Sequence, residues 1–212
     1  MTVPTQLIDA AINDGREAWL ASLPAVVAQL RDRWSLTVHE PFEPGGRTAW
    51  VAPVTDADGR HAVLKVGWRH PEAEHEADGL QFWNGDGAVR LHAAERFDDT
   101  IGLLLERCEP GTPLASRPET DQDQILARLM LRLWKEPSPG AVFRPLAQMC
   151  DQWADEFERR MNTAQHPPVD PGLARAGIEL FRTLPATASR HVLLGTDLHA
   201  GNVLAAQRQP GW

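Results

Sequence analysis

An α+β chain with a strand-rich front and a helix-rich back is predicted by three observations. The apolar period is helical from Thr5 to Trp34. It gives way to short β-rich runs between Leu36 and Cys108. It becomes helical again after Leu114, before a short apolar run and a polar loop near Trp212. Strands followed by helices, rather than alternating with them, read as α+β, and this order allows a cleft between two lobes.

Each element has its own justification. Trp19, Leu20, Leu23, Val26, Val27 and Leu30 recur at helical spacing, and Pro24 predicts a kink or a new segment. LTVHEPF and TAWVAPV are β-rich runs separated by EPGGR, and the Asp-Gly turn in DADGR leads into HAVLKVGW. Leu36 to Trp68 is therefore expected to be a three-stranded antiparallel meander. HPEAEHEADGLQFWN predicts a helix with an acidic start that suits the macrodipole. AVRLHAAE and IGLLLERC predict two more strands turning at Asp98-Asp99. Helices follow over Thr120–Trp134, PLAQMCDQWADEFERRM and LARAGIELFRTL, with KEPSPG and HPPVDPG as loops and HVLLG as a short strand.

Composition narrows the function classes. The chain has 212 residues and net charge −8, from 29 acidic and 21 basic side chains. That balance excludes a broad phosphate-backbone footprint and leaves room for a cationic small molecule. Cys108 and Cys150 form no CxxC pair, so both read as reduced packing residues. No apolar run approaches the ~20 residues of a membrane span. MTVPTQLIDAAIND lacks a basic region followed by an apolar one. A cytoplasmic protein with no membrane or nucleic-acid partner is expected.

Lysine occurs only at Lys65 and Lys135. Lys65 lies inside the apolar run Ala62 to Val66. It either points to solvent, since alternate strand residues face opposite sides, or reaches nucleotide phosphates from a sheet. A phosphate-binding ammonium needs a carboxylate to hold it. Glu76 is the best candidate and Glu72 and Glu74 are rivals, with Glu72 and Glu76 expected on one helix face. Gly45 and Gly46 supply positive φ to a hairpin, or backbone N–H groups to a phosphate. Glu106 to Cys108 reads as a strand end or as a hinge offering backbone groups to an adenine edge. His70 and His75 lack the HExxH order, so zinc is not indicated. Asp151, Asp155 and Glu156 read as a solvated helix face, with attraction of a cation as the alternative.

The loop LLGTDLHAGNVLAA is more specific. Asp197, His199 and Asn202 follow D-x-H-x-x-N. A carboxylate can take or orient the proton of an attacking hydroxyl. An amide oxygen suits a hard magnesium ion without adding negative charge. His199 reads as a brace for the loop.

FEPGGRTAWVAPV, AVLKVGWRHPEAEHEADGL, LLLERCEPGTPL and LLGTDLHAGNVLAA together resemble the aminoglycoside and hydroxyurea phosphotransferases, the streptomycin 6-kinase group in particular. The resemblance covers nearly the whole chain. It implies a protein-kinase-like two-lobe fold, with residues 1–108 as N-terminal helices and N-lobe and 109–212 as a partial helical C-lobe. It also implies ATP and Mg2+ as cofactors and phosphorylation of a hydroxyl on an aminoglycoside-like substrate. Carried over, Lys65 holds the ATP phosphates, Glu76 braces it, Gly45 and Gly46 approach phosphate, and Glu106 to Cys108 form the adenine hinge. Asp197 is the catalytic base, with His199 beside it, and Asn202 ligates magnesium.

Two departures stand out. The family reads HGDLH where this chain has Gly195-Thr196-Asp197, and threonine takes positive φ poorly. The family's second magnesium carboxylate lies on a strand past the NVLAA run. The run is therefore expected to lack a partner strand, leaving apolar helix faces open. An inactive nucleotide-binding chain, or half of a split enzyme completed by a C-terminal fragment, is the alternative reading.

Overall fold

The computed structural model describes residues 1–161, 163, 169–208 and 211–212. Its N-terminal helical run is broken by glycine rather than by proline. Helix α1 (Thr5–Asn13) ends at Asp14, and Gly15 follows with φ +65°. Helix α2 (Glu17–Arg33) then continues through Pro24. No new segment starts at Pro24. Leu23, Val27 and Leu30 are buried on the same stripe, and their packing outweighs the one backbone bond that proline removes.

Five strands form one antiparallel sheet. They are β1 (Thr37–Val38), β2 (Ala49–Thr55), β3 (His61–Trp68), β4 (Leu91–Arg96) and β5 (Thr100–Glu106), in the order β1-β2-β3-β5-β4. In register, Lys65 lies opposite Val51 on one side and Leu103 on the other. The two-residue side-chain period gives the sheet two apolar faces. Ala62, Leu64, Val66 and Trp68 pack with Leu7, Trp19, Leu23 and Leu30 of α1 and α2. Trp19 meets Trp68 edge-on, with ring centroids 4.9 Å apart. Gly102 of β5 admits α2, since a Cβ there would sit 2.5 Å from Leu30 Cδ1. On the opposite face Val63, Ile101, Leu103 and Leu105 pack with Ala77 and Leu80 of α3 (Glu76–Trp83).

Helix α3 is shorter than the pattern predicts. His70 to His75 form turns, with Ala73 N–H donating to His70 O and Glu76 N–H to Ala73 O. Glu72 therefore precedes the helix and does not share a face with Glu76. The helix ends at Asn84, which takes the left-handed cap conformation at φ 44°.

The connector continues as β6 (Pro110–Pro113), which pairs antiparallel with β7 (Leu204–Ala206). This corrects the expectation that the NVLAA run lacks a partner. The partner is hard to read because Pro110 and Pro113 interrupt any strand pattern, and proline is tolerated in a short edge ladder. Helix α4 (Glu119–Leu133) supplies Leu129 to a core with Leu114 and Val203. The expected strand at HVLLG is absent, and residues 191–195 carry no regular structure.

Two compact units result. One comprises Met1–Trp134 with Leu194–Trp212, and the other Lys135–Leu193. The second contains α5 (Leu146–Met161) and α6 (Pro171–Thr183). Trp153 and Phe181 meet edge-on, and Arg182 binds Asp155 and Glu158. Asp170 caps α6 through Leu173 N–H, with Pro171 at its first turn. The His166–Pro168 part of the expected HPPVDPG loop lies outside the described residues. Glu156 pairs with Arg159 and Arg160 on its own helix, and Asp155 pairs with Arg182 of α6, so both have cationic partners.

Candidate active site

The sheet supplies the first half of the site. Lys65 Nζ donates to Glu76 Oε1 at 2.6 Å and Oε2 at 2.8 Å. Both side chains are about two-thirds buried, so the pair is shielded and held in both directions. The rival carboxylates are engaged elsewhere. Glu74 binds Arg69 and Arg96, and Glu72 binds His70. His75 faces Asp78. A small recess beside the pair is lined by Thr48, Gly67, His70, Ala73 and Ile101. Gly67 keeps it open toward β2, since a Cβ there would lie 3.0 Å from Thr48 O.

The glycines of EPGGR differ from one another. Gly45 has φ +81°, and a Cβ on it would lie 2.6 Å from Pro4 Cβ. Gly46 does not take positive φ. The expectation that both supply positive φ is corrected for Gly46, and Gly45 is required by its contact with the N-terminal segment.

The terminal loop supplies the second half. Asn202 Nδ2 donates to Asp197 O at 3.0 Å and to Asp197 Oδ2 at 2.8 Å. Those bonds direct the amide N–H groups to Asp197 and turn Oδ1 of Asn202 the other way. His199 caps the short 3-10 turn Ala200–Asn202, with Gly201 N–H donating to its Nδ1 at 3.1 Å. Its Nε2 lies 3.7 Å from Asp197 Oδ1. Leu198 and Ala200 pack against the Leu114–Leu129–Val203 core. The loop is thus anchored by alternate residues, and the Asp197 carboxylate stays 86% exposed. Thr196 does not take positive φ, so the anticipated strain before Asp197 is not present.

Glu106 ends β5 and carries a dense set of bonds. Its carboxylate accepts Arg208 Nε at 3.1 Å, Arg208 Nη2 at 3.0 Å and the Arg90 N–H at 2.9 Å. Burial alone would raise this carboxyl, but those bonds outweigh it and hold the group below its ordinary value. Next to it, the half-buried Cys108 thiol is pushed up by burial and by the Glu106 charge. The thiol therefore stays neutral at ordinary pH.

The aminoglycoside/hydroxyurea antibiotic resistance kinase model matches residues 33–212. The chain belongs to that kinase family. It is 35% identical over 201 residues to a streptomycin 6-kinase from Streptomyces glaucescens, covering 94% of this chain and 64% of the relative. It is 34% identical to the streptomycin 6-kinase from Streptomyces griseus, covering 98% and 67%. A hydroxyurea phosphotransferase from Kitasatospora aureofaciens is 31% identical, covering 98% and 61%. The chain thus spans about two-thirds of the length of these relatives.

Within this kinase-family chain, one compact unit holds both halves of the candidate site. Among the described residues no hydrogen bond or ion pair joins Lys65–Glu76 to Asp197–Asn202. Two further residues escape a sequence reading. Gly201 is required because a Cβ would lie 2.8 Å from the His199 ring. Arg208 reaches Glu106 across 102 residues, and no local pattern announces such a partner.

Proposed function

We propose that this chain is built for ATP-dependent phosphorylation of a hydroxyl on a small, cationic, aminoglycoside-like substrate, on a protein-kinase-like two-lobe framework. One observation carries the reading. The loop aspartate and asparagine are locked together by two hydrogen bonds, in the same compact unit as a shielded ammonium–carboxylate pair. Streptomycin and hydroxyurea are the substrates in the relatives' names, and they frame the substrate class.

The roles follow from the chemistry. Lys65 neutralises charge on the ATP phosphates, and Glu76 fixes its direction. The backbone from Glu106 to Cys108 receives the adenine edge. The substrate oxygen attacks the γ-phosphorus as the bond to the β-phosphate oxygen breaks and ADP leaves. The hydroxyl proton passes to Asp197 through Oδ1, since Oδ2 is held by Asn202. His199 keeps the turn in shape through its acceptor nitrogen.

Magnesium, if bound beside Asn202, would neutralise charge on the phosphates. The chain's fit to it is partial. Asn202 Oδ1 is a suitable hard donor. Among the described residues, however, no group of three or more His, Cys, Asp or Glu could hold a metal. The match to about two-thirds of the relatives' length supports a second reading, in which these residues bind nucleotide and the remaining carboxylate comes from a further segment or fragment.

Incubation with ATP, Mg2+ and streptomycin, read by ADP release, tests the first reading. Transfer that disappears in Asp197→Ala supports it. Thermal stabilisation by ATP without transfer, converted to transfer by adding a fragment with the remaining third of a relative, supports the second. No ATP-dependent shift and no transfer would remove both.

A further inference from the structure

We infer that Arg208 is a positioning residue that fixes the Glu106–Cys108 backbone relative to the Asp197–Asn202 loop. The inference rests on the nucleotide-binding reading of that backbone.

Arg208 joins two distant segments of the chain at once. It donates to both carboxylate oxygens of Glu106 at the end of β5. It also donates to Gly85 O, and to Ala88 O at 3.1 Å, in the segment that leads from α3 to β4. Its backbone is held by bonds at the end of β7. Ala206 N–H donates to Gly211 O and Gly211 N–H to Arg208 O, both at 2.9 Å. Only β7 separates Arg208 from the loop holding Asp197 and Asn202.

The geometry suits a guanidinium and nothing shorter. Nε, Nη1 and Nη2 all donate, and they diverge in one plane toward a carboxylate on one side and carbonyls on the other. A lysine ammonium keeps the charge but cannot span both sets. Glu106 transmits the constraint onward. Its carboxylate accepts Arg90 N–H, and its own N–H donates to Arg90 O at 2.8 Å. The strand end that begins the connector is thereby closed between Arg90 and Arg208. The β6–β7 ladder then ties the far side of the same connector to the same terminal segment.

The pieces so joined come from both halves of the candidate site. Gly85 and Ala88 follow α3, whose first residue Glu76 holds Lys65. Loss of the fork would release the base-holding backbone while leaving Lys65, Glu76 and Asn202 in place. That asymmetry separates positioning from general support.

Titration calorimetry with two probes reads it. ATP engages both the connector and the phosphate groups, whereas inorganic tripolyphosphate engages the phosphate groups alone. Arg208→Ala and Arg208→Lys should each weaken ATP about tenfold, and tripolyphosphate should stay within about twofold. An unchanged ATP affinity, an equal loss for both probes, or full rescue by Arg208→Lys would overturn the inference. Arg208→Lys also serves if Arg208→Ala fails to fold. Hydrogen exchange gives an independent arm. The amides of Arg90 and Glu106 should exchange about tenfold faster in either variant, with β3 unchanged. Failure of the unaltered chain to bind either probe would overturn the nucleotide reading, and the exchange arm would still decide the clamp.

Discussion

The two halves of the candidate site are built on opposite plans. Lys65 and Glu76 come from a strand and a helix that bury apolar faces against each other, and their charges are mostly shielded. Asp197 and Asn202 come from one short loop, joined by bonds that span five residues, and Asp197 is largely exposed. The first half is coupled to the stability of the sheet. The second is a local device that can be altered with little cost to the fold. Tight packing holds a charge in place, whereas an exposed loop carboxylate stays accessible to a small molecule.

The largest break in this comparison comes from Asp197→Ala. Turnover should fall by roughly 10²- to 10⁴-fold, the usual contribution of a positioned base. The melting temperature should stay within ~1 °C, because the side chain is exposed. A loss of several degrees in a scanning calorimeter would contradict the local plan. Lys65→Met should do the reverse in stability. It strands the shielded Glu76 carboxylate, at a cost of about 1–3 kcal/mol in urea unfolding. ATP affinity should drop at least tenfold in the same variant. Unchanged stability would show that the sheet does not depend on the pair.

Gly201→Ala sharpens the contrast. Its Cβ would press on the His199 ring, so the Ala200–Asn202 turn must shift. We expect about a tenfold loss of turnover with under ~1 kcal/mol of destabilisation. Equal turnover would show that the cap is dispensable. The smallest effect concerns acid stability. The Glu106 carboxyl is held below its unfolded value, because the bonds from Arg208 and Arg90 outweigh burial. Its contribution is complete above that value and is lost as pH falls through the folded one. Glu106→Gln should therefore flatten the stability–pH curve on the acid side and leave its slope unchanged near neutrality. An unaltered acid limb would contradict the bonds from Arg208 and Arg90.

Much of the sheet half is legible in the sequence. Alternation in HAVLKVGW sets Lys65 on the face opposite Leu64 and Val66, and the next helix must cover that face. The choice among Glu72, Glu74 and Glu76 is less so, because the turns from His70 to His75 delay the helix start. In the loop half, Asp197, His199 and Asn202 declare their residue types, but the cap on Gly201 is a matter of backbone shape. The β6–β7 ladder is hidden by its prolines, and the glycine that separates α1 from α2 is masked by a more conspicuous Pro24. Arg208 is illegible for another reason, since all of its side-chain partners lie more than a hundred residues away.

The return of the chain at Leu194 makes Lys135–Leu193 an excursion from a unit that resumes after it. Closing such an excursion costs entropy only logarithmically, about 0.6 kcal/mol for each doubling of its length. Its size and surface are therefore free to diverge while its two ends stay anchored. The Asp197–Asn202 loop, by contrast, belongs to the unit that begins at Met1 and is synthesised only after the excursion, so that unit cannot be completed before it.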